Sequence, residues 1–353
     1  MRRLVIRVSA GLAAAAFAAA IYWSIRLGRG EVRFRRNPQA AAAWVQRGLA
    51  AEAADDFPQA ERHLLEAARV DATYLPRWTL ANYYFRRQDL PRFWRWAAEA
   101  GRMSHGDTTA LLSLCWKASP DPELILQRVV RQEAEPLYWY FHFLTAQQQW
   151  QAAGRTGLKL LDQGRPQDRL EITAFCDRLL DHNQAEVAVE TWNGLISRRV
   201  IPYEPLDPAR GASITNGDFR FAPTGKGFDW RLEAPAGVTA SAGDGLRLRF
   251  SGGQPEQAGL LWQWAPVVPQ TRYRFRFEAT PSKPPGLRWR ILAAGTGAPL
   301  GTGADPLEFL TPAGVTLLRI ALDYHREPGT TRLDGSVQIR RVTLEPASPV
   351  VLP

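Results

Sequence analysis

The sequence predicts a multidomain α + β protein: an N-terminal transmembrane helix, an all-α helical repeat array and a C-terminal all-β sandwich. Three observations predict it. Eighteen uncharged residues separate Arg7 from Arg26. From Asn37 to Arg199 apolar residues recur at helical period. Beyond that the period drops to two, with Gly and Pro turns between short runs. The boundaries are 1–36 for the anchor and its basic flank, 37–199 for the helices, 200–211 for a linker, 212–347 for the sandwich and 348–353 for a tail.

The amino-terminal segment is read from charge and length. The chain has 353 residues and a formal charge of +9. Residues 1–37 hold eight Arg against Glu31, whereas 38–200 sum to −1 and 201–353 to +3. The excess belongs to the amino-terminal end, so no nucleic-acid partner is expected. As a helix, the uncharged run spans about 27 Å, one bilayer crossing. Tyr22 and Trp23 stand near its far end, where amphipathic rings favour the headgroup layer. The rival is a cleavable signal peptide, with Ala18 to Ala20 as the small residues a peptidase needs. The apolar run continues to Ile25 past any such site, which favours an uncleaved anchor. Three Arg precede the helix and five follow it by Arg36, and the positive-inside rule alone would keep the remainder in the cytoplasm.

In the helical region Trp44 and Trp78 lie 34 residues apart, each opening a helix. Trp44, Gly48, Ala60, Leu64 and Ala67 fall where the tetratricopeptide family places its large aromatic, its glycine and the small, large, small positions of its second helix, and the unit resembles one such repeat. Later units depart from it. Asn82 stands at the glycine position and Trp94 at a small one, and the units near Leu137 and Arg169 keep only Ala153 and Ala185. Four or so helical hairpins are expected. Such arrays dock a partner protein in a groove or space two other domains. The rings of Trp94, Trp96, Tyr138 and Tyr140 either fill inter-helix space or line that groove. Cys115 and Cys176 sit in apolar helical surroundings, as reduced core residues or as a bridge.

Past the Pro-rich stretch at 200–211, the runs GLRLRFSG, AGLLWQWAPV, TRYRFRFEAT, GLRWRIL, TLLRIALDYH and SVQIRRVTL alternate apolar with polar residues. Six to nine short antiparallel strands over about 140 residues fit a two-sheet sandwich of jelly-roll type. The opening NGDF at 216–219, GFDW at 227–230, TRYRFRFEA and the closing SVQIRRVTLEP are similar in order and spacing to the galactose-binding-like, carbohydrate-binding modules of bacterial glycosidases and envelope proteins. The resemblance covers roughly residues 212–347 and implies the fold and contact with glycan. Members of that family often hold a structural calcium by an acid after the opening Phe and by acids of the closing strand. Arg220 occupies the first place and Arg340 with Arg341 the second, so no metal or other cofactor is expected.

Three strands share one grammar. Leu246, Leu248 and Phe250 alternate with Arg247 and Arg249; Tyr273, Phe275 and Phe277 with Arg272, Arg274 and Arg276; Leu287, Trp289 and Ile291 with Arg288 and Arg290. The rings belong to the core. The arginines form a solvated face or, should the strands be neighbours, a patch of seven guanidinium groups suited to carboxylates or phosphates. In LLWQWAP, Trp262 and Trp264 share one side, and Leu261, Gln263 and Ala265 the other. Either set of positions can face out, and exposed indoles with a nearby amide suit a sugar ring. The glycan-binding candidates are therefore Trp262, Trp264, Gln263, Arg272, Arg274, Arg276, Arg288 and Arg290.

Signatures of catalysis are missing. His63, His105, His142, His182 and His325 have no HExxH or HxxxH spacing, and there is no GxSxG elbow or phosphate-binding GxxxxGK[ST] loop. Asp323, His325 and Asp334 cluster near one strand end, the one place where a carboxylate pair is conceivable. The expectation is a non-enzymatic, single-pass protein of the bacterial inner membrane, acting in cell-envelope or exopolysaccharide biogenesis. Its repeats would dock an envelope or polysaccharide-biosynthesis protein, and its sandwich would bind glycan. Because a sugar-binding-like module is most useful outside the cytoplasm, the C-terminal domains are placed in the periplasm against the arginine count. The alternatives are a scaffold without sugar binding and an envelope-polymer hydrolase.

Overall fold

The computed structural model describes residues 38–282, 284–303 and 306–347. The expected anchor and tail lie outside them. Among the described residues no helix is long and apolar enough to cross a membrane. The chain divides between Arg131 and Gln132 into two compact units.

The first unit holds α1 (Pro38–Ala53), α2 (Phe57–Val70), α3 (Tyr74–Arg86), α4 (Leu90–Met103), α5 (Thr109–Ala118) and α6 (Pro122–Arg128). The second begins with α7 (Ala134–Ala146), α8 (Trp150–Leu161), α9 (Pro166–Asp181) and α10 (Ala185–Ser197). Four hairpin turns are built alike. Asp55, Gln88, Gln148 and Asn183 each take a left-handed backbone, with φ between 55° and 59°. The next residue then donates its N–H to a carbonyl five residues back, as Asp56 does to Ala51 at 2.9 Å and Gln149 to Leu144 at 2.9 Å. This satisfies carbonyls the helix end leaves open and reverses the chain. In the first two turns the same residue is Asp, whose carboxylate accepts from the N–H of Gln59 or Arg92 and caps the following helix. Gly48 meets α2 where a Cβ would lie 2.6 Å from Leu64 Cδ2, beside the buried Ala60 and Ala67. Close approach is thus the reason for the small residues of the first repeat-like unit.

Cys115 in α5 and Cys176 in α9 are both buried and free. Burial pushes the Cys115 thiol up to about 12 and raises that of Cys176 as well. The thiolate fraction of Cys115 at pH 8 is then about three orders of magnitude below that of an ordinary cysteine. Alkylation by iodoacetamide, followed by intact mass, should label neither thiol in the native chain and both after unfolding in urea.

The second unit continues into two five-stranded antiparallel sheets. Its strands are β1 (Arg231–Leu232), β2 (Val238–Gly243), β3 (Gly245–Ser251), β4 (Gln257–Pro266), β5 (Arg272–Thr280), β6 (Leu287–Ala293), β7 (Pro299–Gly303), β8 (Leu307–Leu310), β9 (Leu317–His325) and β10 (Asp334–Pro346). One sheet runs β1-β4-β9-β6-β7 and the other β2-β3-β10-β5-β8. Their inner faces interdigitate, with Phe275 of β5 meeting Trp289 of β6 at 5.1 Å between ring centres. Tyr273 and Phe275 are fully buried and Phe277 packs against the same core. The rings of the RYRFRF run are core, as the alternation predicts.

Segment 200–211, expected as a linker, is packed. Tyr203 and Leu206 are buried, and the Asn193 side chain of α10 both donates to the Leu206 carbonyl (2.9 Å) and accepts from its N–H (2.8 Å). Trp192 of α10 is stacked on Tyr203 and set edge-on to Phe228. Asp177 of α9 accepts from the N–H of Gly227 (2.8 Å) and from Arg231 (2.6 Å). The opening motifs explain themselves around Asp229, which is wholly buried. Its carboxylate accepts from the Tyr203 hydroxyl (2.8 Å), the Thr224 N–H (2.6 Å) and hydroxyl (2.8 Å), and Asn216 Nδ2 (3.2 Å). Trp230 donates to the Asn216 carbonyl at 3.1 Å. NGDF and GFDW are therefore two halves of one buried polar knot.

Candidate ligand-binding faces of the sandwich

Alternation sends the arginines of β3, β5 and β6 outward, but the strand order separates them. β6 belongs to one sheet, whereas β3 and β5 belong to the other, on either side of β10. The patch expected from neighbouring strands therefore does not form as drawn. Each sheet has its own outer face.

On the β1-β4-β9-β6-β7 sheet, Trp262 and Trp264 point outward and are half-buried, while Leu261 and Ala265 point inward. Gln263 is inside with them, donating to the Thr215 carbonyl at 2.7 Å, so its amide is not available to a ligand. Trp262 is not an open platform either. The guanidinium groups of Arg231 and Arg319 lie over its ring at 4.5 and 4.2 Å from the centre. Burial works to lower the pKa of Arg231, and Asp177 opposes that shift. Trp264 stands edge-on to Trp262 at 5.4 Å. This corner is occupied by the protein's own cations.

Further along the same face is a basin of about 450 Å³, lined by Gln257, Gly259, Arg288, Arg290, Thr302, Asp323 and His325. Pairing creates it. Gln257 lies opposite His325 and Gly259 opposite Asp323, while on the other side Arg288 faces Asp323 and Arg290 faces Thr302. At Gly259 the Glu233 carboxylate packs where a Cβ would lie 2.0 Å from its Oε2, and the longer polar side chains stand around the recess. Asp323 bonds Arg290; among the described residues Arg288 has no ion-pair partner. The basin thus offers fixed and free guanidinium donors, a carboxylate, an imidazole and an amide within one recess, the mixture that orients a small polar ligand. Asp334 is not part of it: it lies on β10 of the other sheet, opposite Ser251. The three-residue cluster expected from sequence reduces to Asp323 and His325.

On the β2-β3-β10-β5-β8 sheet, Arg247, Arg249, Arg272, Arg274 and Arg276 face out and are joined by two residues of β10. A bulge between Ile339 and Arg341 leaves Arg340 and Arg341 both exposed. Sequence pattern marked these two only as replacements for calcium ligands. Their place between β3 and β5 was the missing information.

Of the helical groove candidates, Trp94 and Tyr140 are buried core, which is the space-filling alternative. Trp96 is half-buried beside Arg95. Tyr138 is half-buried too, packed on Trp139 and His142.

No family model matches the chain, and no curated protein matches it. Among solved structures it is similar to the glycosylation-associated protein (Gap123) complex of Streptococcus agalactiae, at 15% identity and a TM-score of 0.26, over 32% of this chain and 40% of that one. It is also similar to the enzymatically active domain of tailspike protein 4 of bacteriophage CBA120, at 16% identity and a TM-score of 0.30, over 40% of this chain and 22% of that one. The chain thus spans less than half the length of either, and similarity at this level assigns no function.

Proposed function

We propose that the chain is a membrane-anchored, non-enzymatic binding and scaffold protein of bacterial cell-envelope or exopolysaccharide biogenesis, with its C-terminal domains on the periplasmic side. The helical hairpins, read as divergent tetratricopeptide-like repeats, dock a partner protein, and the sandwich holds glycan in the basin of the β4-β9-β6 face. The observation that carries the glycan reading is the convergence of Arg288, Arg290, Asp323, His325 and Gln257 on a recess of sugar size. Guanidinium and amide donate to hydroxyl or carboxylate oxygens, and Asp323 accepts from hydroxyls. Asp323 lines the basin and is tied to Arg290, and Glu233, which packs against Gly259 at its edge, is paired with Arg319. That favours holding a glycan over cleaving it with a carboxylate pair.

Affinity-gel electrophoresis of the detergent-solubilised full chain on neutral and acidic glycans tests the reading. Retardation is expected on at least one glycan and should weaken about tenfold in Arg288→Gln and in Asp323→Asn, as each removes a charged hydrogen-bonding group. Both side chains are on the surface, so the fold is expected to survive. A wild-type chain that migrates freely through every gel leaves the pure scaffold standing instead.

A further inference from the structure

The outer face of the β2-β3-β10-β5-β8 sheet carries Arg247, Arg249, Arg272, Arg274, Arg276, Arg340 and Arg341 against Glu278, Glu308, Glu345 and Asp334. Among the described residues only Arg274 of the seven is ion-paired, to Glu308 at 2.7 Å. Along β5 the arginines repeat every second residue, roughly 7 Å, and β3 runs two strands away, roughly 10 Å across. Over β5 and β10 a recess of about 500 Å³ is lined by Arg276, Glu278, Arg341, Thr343 and Glu345.

We infer that this face is a second binding surface, for a linear acidic polysaccharide bearing carboxylates. Three features select that ligand. First, six guanidinium groups keep their paired donors for carboxylate oxygens. Second, each exposed ion contact in water gains little and is screened by salt, so useful affinity needs several at once and hence a repeating anion rather than a single small one. Third, carboxylates alternate with the arginines, as Glu278 opposite Arg341 and Glu345 opposite Arg274 do. Those acids would be repelled by a continuous anionic bilayer but accept hydroxyls from a sugar chain whose charges are spaced by neutral groups. The inference shares with the reading above only that the ligand is a glycan, since the two faces lie on different sheets.

The test uses the full chain and polygalacturonate, measured by affinity-gel retardation at 50 and 300 mM NaCl, with neutral dextran and with phosphatidylglycerol and phosphatidylcholine vesicles as controls. The quadruple change Arg247→Gln, Arg249→Gln, Arg276→Gln and Arg341→Gln touches exposed side chains, and circular dichroism checks that the variant folds. The expected result is at least a tenfold loss of polygalacturonate binding in this variant and a weaker dependence on salt. Arg288→Gln should leave that salt dependence in place. Binding that survives the quadruple change, or is lost only in Arg288→Gln, overturns the second surface while leaving the basin intact. A wild-type chain that does not bind polygalacturonate, and whose preference for phosphatidylglycerol over neutral phosphatidylcholine vesicles is lost in the quadruple variant, overturns it in favour of a membrane-facing role, since an anchor alone would not tell the two lipids apart. Loss of dextran retardation in Arg288→Gln alone bears on the basin reading, so the two failures are separable.

Discussion

Asp229→Ala is expected to destabilise the Gln132–Pro353 unit by about 3–5 kcal/mol, because it strands several buried donors at ~1–3 kcal/mol each, not fully additive. The Tyr203 hydroxyl, the Thr224 N–H and hydroxyl and the Asn216 amide all converge on this one carboxylate, with no exposure to water at Asp229. Burial and the Asp229 charge both raise the pKa of the Tyr203 phenol, so it remains a donor. Tyr203→Phe removes one donor together with its bond and should cost only about 1 kcal/mol. Urea unfolding of the full chain followed by tryptophan fluorescence reads both. Equal small losses for the two variants would mean that the knot contributes little.

The second large effect is a coupling. Gly227 has φ of 51°, and a Cβ built there lies 2.2 Å from Cζ3 of Trp192. Gly227→Ala combines a left-handed backbone cost of about 1 kcal/mol with overpacking of about 1–3 kcal/mol. Trp192→Ala empties the same space and should cost about 3–5 kcal/mol by itself. In the double variant the alanine methyl has room, and its added penalty is expected to fall to about 1 kcal/mol, the backbone part alone. Strict additivity in a denaturant double-mutant cycle would show that the ring does not press on this turn. The contact matters for function because Gly227 and Arg231 are also the two points that Asp177 holds, and Arg231 in turn covers Trp262. Helix α9 thereby takes one corner of the sheet face out of use as a sugar platform.

Much of the fold was legible from one-dimensional pattern. Period-two alternation placed Leu246, Leu248 and Phe250, and likewise Tyr273 and Phe275, on the buried side, since successive strand residues must point to opposite faces. The small residues of the first hairpin, Gly48 and Ala60, were readable because close helix approach permits little else. The site was less legible, and the misreadings share one origin. Alternation does not say which of two equivalent faces is inside, so Gln263 and Trp262 were interchangeable until Gln263 was seen to bond the Thr215 carbonyl. It is also silent about the Asp229 knot, whose members lie up to 26 residues apart and have no period.

Side-chain parity, helical period and the apolar run at 8–25 are properties of a segment by itself, set by local backbone geometry, and they stand in the amino-acid order alone. Strand neighbours are decided by hydrogen-bonded pairing between distant segments. That pairing moved Arg288 and Arg290 to one sheet and Asp334 to the other, and it inserted Arg340 and Arg341 between β3 and β5. The charge pattern of each face, and with it the choice between a basin and a polyanion surface, came into being only when the chain closed on itself.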